Sequence, residues 1–369
     1  MSAFVEARLD PSARSALLIE SVERELSRFL DRHRAVLTGV HSDLAMLADA
    51  ARQAVLSGGK RLRPTFAYWG WRSVQPDGAP GEEQLIRAAA GLELLQACAL
   101  VHDDVLDSSD TRRGQPAAHV RFAGQHRDHG WPGPAEGFGD AAAILLGDLL
   151  LSWSEEMFRD AIAGLGADRA GAAGNHFDLM RTEVVAGQFL DVLAQSRGAF
   201  DPDEALRVIA FKTSKYTVER PLLIGATAAG GSERLLGSLS SYGQALGEAF
   251  QLRDDLLGVF GDPDLTGKPA GDDLREGKRT LLVALAAELA DPAQLRVVEA
   301  GVGDPELTAD GVRRLREILV DTGARDRVER RIADRAAAAA TAIDSEPLVL
   351  PDAARALLGL AQAAAHRSF

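Results

Sequence analysis

The sequence has 369 residues, of which 46% are hydrophobic, 5% aromatic and 26% charged, and its formal net charge at pH 7 is −13. This negative charge argues against a general affinity for nucleic acid or for an anionic membrane surface. The single cysteine, Cys98, excludes an intramolecular disulfide. The length alone fits one large domain or two average ones.

Long stretches rich in Ala and Leu, with few alternating runs of β-branched residues, favour helices over strands and predict an all-α fold. A further helix is expected to have Pro64 in its first turn. The remaining helical segments, in chain order, are predicted over 15–37, 43–56, 82–107, 140–163, 167–195, 202–229 and 233–259. A polar loop then precedes a helical remainder.

Residues 118–139 interrupt this helical pattern. They contain His119, His126 and His129 together with several Gly and Pro residues, which predicts a long loop or insertion without regular structure. The histidines suggest a metal site as an alternative, but a surface loop is favoured. No linker rich in Pro, Ser or charge divides the chain, so we predict a single domain over 1–369.

The first ten residues, MSAFVEARLD, carry acidic side chains and lack the apolar core of a signal peptide. No apolar run reaches the ~18–20 residues that a membrane span requires. We therefore expect a cytoplasmic protein without an integral membrane segment.

Three aspartates lie at the end of the helix predicted over 82–107. In the segment LVHDDVLDSSD, a spacing of four places Asp103 and Asp107 on one helix face, one turn apart, with Asp104 beside them. Carboxylates so close repel each other unless a cation lies between them. Mg²⁺ suits one or two carboxylates whose coordination is completed by substrate phosphate and water. A solvated acidic helix end is the alternative for such a motif standing alone.

A second pair of aspartates favours the metal interpretation. Asp254 and Asp255 lie in FQLRDDLLGVFGD, late in another predicted helix, with Gln251 one turn earlier. Each pair is embedded in an apolar helix and is followed by a basic loop that contains glycine. This repetition indicates two metal-binding motifs rather than two solvated helix ends.

Four basic segments lie where they could bind phosphate. GGKRLRP supplies Lys60, Arg61 and Arg63 just before a helix start, where backbone N–H groups favour anions. The other three segments supply Arg112 and Arg113 in TRRG, Lys212 and Lys215 in FKTSKYTVERP, and Lys268 and Lys278 in TGKPAGDDLREGK. Each alone is more typical of a surface charge, but their placement beside acidic clusters predicts a shared anionic ligand. The last segment lacks the GxxxxGK[ST] spacing of a P-loop, so a nucleotide kinase is not expected.

These motifs resemble those of the trans-prenyl diphosphate synthases, and most closely the bacterial geranylgeranyl diphosphate synthases. GGKRLRP, HDDVLDSSDTRRGQP, GQFLD, KTSKY and FQLRDDLLGVFGDPDLTGKPAGDDLREGK occur in the family's order over roughly residues 50–290. The resemblance implies an all-α bundle of the isoprenoid synthase type with a central catalytic cavity. It also implies a homodimer that condenses isopentenyl diphosphate with an allylic prenyl diphosphate, with about three Mg²⁺ ions per active site.

The resemblance also implies residue roles. The implied Mg²⁺ ligands are Asp103, Asp107, Asp191 and Asp254, and the implied catalytic set is Asp103, Asp104, Asp107, Lys212, Asp254 and Asp255. The implied allylic diphosphate site contains Arg112, Lys212, Thr213, Gln251, Lys268 and Lys278, completed by Asp273. The implied isopentenyl diphosphate site contains Gly59, Lys60, Arg63, Gln96 and Arg113. Tyr216 and Phe250 match positions that face the reacting centre.

Two residues depart from the family pattern. Gly258 stands where the second motif often has a third carboxylate, and little loss is expected from this change. Gln96 stands where His is common, and its amide can still donate a hydrogen bond to a diphosphate oxygen.

By resemblance, divalent cations held by both acidic clusters stabilise the charge that develops on the departing diphosphate. The isopentenyl double bond attacks the allylic carbocation, and the diphosphate takes up the released proton. No dedicated protein base is therefore expected.

Chain length by resemblance depends on the helix turn before Asp103. Farnesyl-type members tend to have aromatic residues at the fourth and fifth positions before this aspartate, where the present chain has Ala99 and Cys98. These small residues predict extension to geranylgeranyl diphosphate. A longer product remains an alternative, because Leu95, Phe189 or a residue of a dimer partner could set the stop. Farnesyl diphosphate is a further alternative.

Two other functions also remain open at this point. A class I terpene cyclase ionises a prenyl diphosphate at Asp-bound Mg²⁺, but it needs no second diphosphate site. A non-catalytic partner subunit usually loses its acidic motifs, whereas both are present here.

Overall fold

The computed structural model describes residues 11–261 and 271–366. Its α-helices are Pro11–Val40 (α1), Ala45–Leu56 (α2), Leu62–Arg72 (α3), Glu82–Leu106 (α4), Ala118–Asp128 (α5), Ala135–Ile162 (α6), Ala167–Arg197 (α7), Pro202–Val208 (α8), Arg220–Ala228 (α9), Glu233–Phe260 (α10), Asp272–Arg275 (α11), Leu281–Leu289 (α12), Pro292–Gly301 (α13), Ala309–Asp321 (α14), Ala324–Asp344 (α15) and Pro351–His366 (α16). Short 3₁₀ helices occupy Ser42–Leu44 and Ala163–Leu165, and a π-helix occupies Ile209–Glu219.

The all-α prediction is confirmed. Within the described residues, the only strands are β1 (Thr111–Arg112) and β2 (Gln115–Pro116), which pair antiparallel in one short hairpin. The predicted helices agree with the observed ones to within a few residues over most of the chain.

The chain divides into two compact units. Unit 1 comprises Met1–Gly174, Gly225–Gly231 and Leu348–Ala356, and unit 2 comprises Asn175–Ile224, Ser232–Pro347 and Leu357–Phe369. Each unit draws on several separate segments, so neither is one continuous stretch of sequence. The single-domain organisation over 1–369 stays a prediction.

In unit 1, α4 and α6 pack closely along each other. Gly91 on α4 permits this approach, because a Cβ there would lie 3.2 Å from the backbone nitrogen of Phe158 and from the carbonyl oxygen of Ser154. Helix α4 is long and apolar enough to cross a membrane by length and composition alone, but 67% of its most apolar window is buried in the protein. Such burial is typical of a core helix.

In unit 2, α10 packs against the π-helix and α15. Three glycines allow the close approach of the π-helix, since a Cβ would overlap or crowd its backbone at Gly187 of α7 and at Gly243 and Gly247 of α10. A core of aliphatic side chains, including Leu252, Leu256 and Leu282, fills the remainder of this unit.

The prediction of an irregular segment over 118–139 is wrong. Residues Ala118–Asp128 form α5, and α6 begins at Ala135. His126 is buried, with its ring centroid 5.4 Å from that of Phe138 and 5.8 Å from that of Trp131, and these aromatic contacts close the turn between the two helices. A short helix with few apolar positions is stabilised here by tertiary packing rather than by propensity.

The continuous helix predicted over 202–229 is also wrong in part. The π-helix separates α8 from α9, and it carries Lys212, Thr213 and Tyr216. Widened turns of this kind recur at functional sites.

Candidate active site

The first acidic motif closes α4 in unit 1. The backbone N–H of Asp107 donates to the carbonyl of Asp103 at 2.8 Å, so these two residues lie one turn apart, as the spacing predicts. Asp104 is buried, and Arg112 Nε donates to its Oδ1 at 2.8 Å. Burial raises the pKa of Asp104 against the opposing effect of Arg112. The carboxylates of this motif are therefore held on a fixed helix end with one guanidinium among them.

A tight hairpin presents the two arginines that follow. Thr111 pairs with Pro116 and Arg112 with Gln115, leaving Arg113 and Gly114 as a two-residue turn with φ of 53° and 71°. Positive φ at both positions defines a type I′ turn, whose twist matches that of the strands. This geometry directs the two consecutive arginines to different partners, because Arg112 meets Asp104 while Arg113 meets the loop before α3.

The basic loop before α3 also belongs to unit 1. Gly58 and Gly59 have φ of 92° and 132°, which favours glycine. The Arg113 guanidinium donates to the Gly58 carbonyl and lies where a Cβ at Gly59 would be 2.8 Å from its Nη2. Partial burial and the positive charge of Arg61 lower the pKa of Arg113. Lys60 is exposed, and Arg63 and Gln96 are half-buried.

In unit 2, Asp191 of α7 and Lys212 of the π-helix form an ion pair with Nζ and Oδ2 2.6 Å apart. Lys212 can approach α7 because the residue opposite its backbone is Gly187. Two residues that the resemblance assigns to metal and to diphosphate are thus neighbours.

The second acidic motif lies near the end of α10 in unit 2. Thr213 Oγ1 donates to Gln251 Oε1 at 2.7 Å, and Gln251 Nε2 donates to Asp255 Oδ1 at 2.7 Å. Burial, together with the negative charges of Asp273 and Asp254, raises the pKa of Asp255 to about 7. The buried carboxylate of this motif therefore accepts its hydrogen bond from a neutral amide, with two further carboxylates near it.

Asp273 occupies the space that Gly258 leaves open. A Cβ at position 258 would overlap the Asp273 carboxylate, and Lys278 Nζ donates to the other oxygen of that carboxylate at 3.1 Å. The carboxylate missing from the second motif is thus matched by one from fifteen residues further along the chain. Sequence spacing alone does not predict this contact between positions 258 and 273.

The donor set fits magnesium. Within residues 11–261 and 271–366, no three His, Cys, Asp or Glu side chains lie together as a complete metal site. The candidate ligands Asp103 and Asp107 are carboxylates one helix turn apart. Mg²⁺ is commonly held by one or two carboxylates, with water and substrate phosphate in its other positions.

Of the remaining predicted residues, Lys268 lies outside the described residues. Cys98 is buried in unit 1, with Sγ 3.8 Å from His102 Nδ1, and Ala99 is half-buried. Burial and the charge of Asp148 raise the pKa of Cys98 to about 12, so this thiol stays neutral.

One residue grouped with the phosphate-binding cations has another role. Arg61 is buried and forms an ion pair with Glu93, a residue that sequence reasoning missed. The available signal was the glutamate itself, since it stands in the otherwise apolar run GLELLQ of a core helix.

Known proteins are similar to this chain in sequence and in fold. The chain matches the family described as "Polyprenyl synthetase" over residues 44–319. It is 33% identical over 286 residues to the geranylfarnesyl diphosphate synthase of Aeropyrum pernix, covering 77% of this chain and 83% of that protein. It is 32% identical over 266 residues to the geranylgeranyl diphosphate synthase of Sulfolobus acidocaldarius, covering 72% and 74%.

A solved structure agrees over almost the whole chain. The geranylgeranyl pyrophosphate synthase of Corynebacterium glutamicum, complexed with isoprenyl diphosphate and magnesium, has a TM-score of 0.90 and 40% identity. The alignment covers 95% of this chain and 99% of that one. The chain therefore belongs to the polyprenyl synthetase family and is a prenyl diphosphate synthase, a transferase of alkyl groups.

Proposed function

We propose that this enzyme condenses isopentenyl diphosphate with an allylic diphosphate in the presence of Mg²⁺ and releases geranylgeranyl diphosphate. The observation that carries the proposal is that unit 1 holds two distinct sets of charges. Asp103 and Asp107 form a carboxylate pair at the end of α4, while Lys60, Arg63 and Arg113 gather around the loop before α3. The carboxylate pair suits a diphosphate that is bound through metal ions, and the basic set suits a diphosphate that is bound directly.

In this proposal the acidic residues hold Mg²⁺ and the neighbouring cations hold the allylic diphosphate. Asp103, Asp107, Asp191 and Asp254 supply metal ligands, and bound Mg²⁺ would neutralise the charge that develops on the departing diphosphate. Arg112 and Lys212 are already oriented by Asp104 and Asp191. Thr213, Gln251, Lys268 and Lys278 complete the diphosphate site.

The reaction exchanges one carbon–oxygen bond for one carbon–carbon bond. The allylic C–O bond breaks with its electron pair on the diphosphate, and the isopentenyl double bond supplies the electrons of the new bond. A proton then leaves the extended chain for the diphosphate. Gly59, Lys60, Arg63, Gln96 and Arg113 hold the isopentenyl diphosphate in place for this attack, which is chiefly a task of orientation.

The small side chains one turn before Asp103 support a product of twenty carbons. Cys98 and Ala99 present no ring along α4, and the next large aliphatic side chain towards the start of this helix is Leu95, which is buried. The known relatives make products of different lengths, since their names include geranylgeranyl and geranylfarnesyl diphosphate synthases. Product length therefore differs among the relatives, and the experiment below measures it for this chain.

The test is to incubate the purified protein with Mg²⁺, isopentenyl diphosphate and each allylic starter in turn, and to measure product length. We expect geranylgeranyl diphosphate from every starter of fifteen carbons or fewer, and no product when the metal is chelated. A hydrocarbon or alcohol formed without isopentenyl diphosphate would show a terpene cyclase instead. Inactivity of the chain alone, restored by a second protein, would show a partner subunit.

A substitution tests the chain-length assignment separately. Ala99→Phe places a ring on the half-buried position one turn before Asp103, so the main product should shorten to farnesyl diphosphate. The matched control is Leu100→Phe at the adjacent half-buried position, where the side chain points about 100° further around the helix. Equal product profiles for the two variants would contradict the assignment.

Exposed apolar side chains on α6 support the expected homodimer. Ile144 and Leu145 are 46% and 63% exposed, and large exposed aliphatic groups favour association. Light scattering on the purified protein should give twice the chain mass of 39.2 kDa. Leu145→Glu should lower that mass, and an unchanged dimer would place the interface elsewhere. A cytoplasmic location likewise remains part of the proposal.

A further inference from the structure

The loop that carries Lys60 and Arg63 is built around a strained and buried residue. Arg61 has φ of 48° and ψ of 42°, a left-handed conformation that costs free energy for any residue with a Cβ. It immediately precedes α3, and its carbonyl accepts hydrogen bonds from the backbone N–H and the hydroxyl of Thr65 at 3.1 and 2.8 Å. Only 3% of Arg61 is exposed, although both basic neighbours are more accessible.

The Arg61 side chain turns away from solvent and binds other parts of unit 1. Its Nη1 donates to Glu93 Oε2 at 2.8 Å, and its Nη2 donates to the Val55 carbonyl at 3.0 Å and to Glu23 at 3.4 Å. Glu93 is also buried, at 5% exposure. A buried ion pair gains little stability over apolar packing, so its value lies more often in fixing a particular geometry.

The partner of Arg61 lies on the helix that carries the other predicted contacts. Glu93 is on α4 three residues before Gln96, so both lie within one turn of the same helix. Arg113 is close to both members of the pair, since the charge of Arg61 lowers its pKa and that of Glu93 raises it. The ion pair therefore connects the loop of Lys60 and Arg63 to the helix that carries Gln96, and Arg113 lies near both members of the pair.

We propose that Arg61 and Glu93 form a positioning pair that sets the isopentenyl diphosphate site by locking the left-handed loop onto α4. Neither residue touches the substrate. Glu93 neutralises Arg61, so the positive charge offered to the diphosphate comes from Lys60, Arg63 and Arg113. This inference rests on the proposed function, because it depends on where isopentenyl diphosphate binds.

The test measures the Michaelis constants for both substrates in Arg61→Met, Glu93→Gln and the double variant Arg61→Met/Glu93→Met. We expect each to raise the constant for isopentenyl diphosphate about tenfold or more while changing that for the allylic substrate less than about twofold. Arg61→Lys keeps the charge but loses the second hydrogen bond, and should fall between the wild type and Arg61→Met.

The double variant keeps the test decisive if a single variant fails to fold. Replacing both charges removes the unpaired buried ion, so its melting temperature should return towards that of the wild type. Its Michaelis constant for isopentenyl diphosphate should nevertheless stay raised. Recovery of that constant together with the melting temperature would overturn the inference, because the pair would then act on stability alone.

Arg72→Met is the matched control. Arg72 is also 3% exposed, lies at the other end of α3, and donates to Tyr68 at 3.1 Å and Asp77 at 3.2 Å. It should lower the melting temperature without changing the Michaelis constant for isopentenyl diphosphate, and an equal rise in that constant would overturn the inference.

Arg63→Ala distinguishes failure of the proposed isopentenyl diphosphate site from failure of the positioning role. If it leaves this constant unchanged, the proposed site fails. If it raises the constant while the Arg61 and Glu93 variants do not, only the positioning role fails.

Discussion

The two acidic motifs look alike in sequence but are neutralised differently. In unit 1, the buried carboxylate of Asp104 has a charged partner, Arg112. In unit 2, the buried carboxylate of Asp255 has a neutral partner, the Gln251 amide, and the further carboxylate of Asp273 lies close by. In the first motif the cation bonds the buried carboxylate directly, whereas in the second Lys278 bonds Asp273 and several carboxylates lie together, so an added cation should stabilise the second motif more.

The two motifs also differ in which segments of the chain supply their neighbouring side chains. The first motif is contained within one helix end and the hairpin that follows. The second depends on the separate segment carrying Asp273 and Lys278. The second motif should therefore respond more strongly to changes of pH, metal and local packing.

The largest effect is expected from removing a primary carboxylate in either motif. Asp103→Ala and Asp254→Ala should each lower kcat/KM on the order of a thousandfold, because each removes a predicted metal ligand needed as charge develops. Circular dichroism should remain that of the wild type. Asp140→Ala and Asp321→Ala remove exposed acidic residues of units 1 and 2 and serve as controls. Near-normal turnover of either active-site variant would contradict the metal assignment.

Removing the partner of the buried carboxylate should distinguish the two motifs by stability. Arg112→Leu leaves Asp104 buried without its cation and should lower the free energy of unfolding by about 3 kcal/mol. Gln251→Leu removes an uncharged side chain with its two hydrogen bonds, to Thr213 and Asp255, and should lower it by about 1–2 kcal/mol. Urea denaturation of both variants measures the difference. Equal losses would mean that the two carboxylates are neutralised alike.

Restoring the third carboxylate of the second motif should be harmful. Gly258→Asp introduces a Cβ into the space of the Asp273 carboxylate, so we expect a loss of about 2 kcal/mol in unfolding free energy. Adding Asp273→Ala should recover part of this loss. Gly237→Asp is the control, because a Cβ at Gly237 of the same helix meets nothing within 4 Å. A tolerated Gly258→Asp would show that the two positions are independent.

The smallest effect is a pH dependence confined to the second motif. The pKa of Asp255 is raised from 3.8 to about 7 in the folded protein, so the unfolded chain releases this proton first as pH rises. Stability should fall between about pH 4 and 7, and the loss is complete above pH 7. The shift sets an upper limit of about 4 kcal/mol; relaxation around the charge makes about 1–2 kcal/mol the expected size.

Asp255→Asn keeps the hydrogen-bond acceptor for Gln251 but removes the charge. It should raise the unfolding free energy at pH 8 in the presence of a chelator while leaving that at pH 4 nearly unchanged. Asp321→Asn, an exposed position, should change neither value. A parallel pH profile for Asp255→Asn and the wild type would argue against a buried, uncompensated charge at this position.

The helices were predictable because the apolar residues that they bury recur in the sequence with the helical period. The ends of α4 and α10 follow from the runs that carry the two acidic motifs. Helix α5 was not predictable, since its stability depends on His126, Trp131 and Phe138 meeting across a turn. That contact joins residues whose local pattern is dominated by Gly and Pro.

The site was predictable as a set of residue types and only partly as a set of contacts. The acidic and basic motifs named the residues, but Arg61 is buried although its sequence neighbour Lys60 is exposed. A left-handed backbone at Arg61 cannot be read from residue type, because Arg rarely adopts it. The partners Glu93 and Asp273 lie 32 and 15 residues from Arg61 and Gly258, distances at which sequence spacing carries no geometric information.

The π-helix Ile209–Glu219 has a consequence for how this segment tolerates change in length. A π turn holds one residue more than an α turn, so losing one residue here would let the segment relax into ordinary α-helix. The parts of the chain on either side of the deletion would then keep about their present orientation, because the residue removed is the extra one of the π turn. Lys212 pairs with Asp191, and Arg220 pairs with Glu183, from opposite ends of this segment. A one-residue deletion between these two ends should therefore keep both contacts while removing the widened turn.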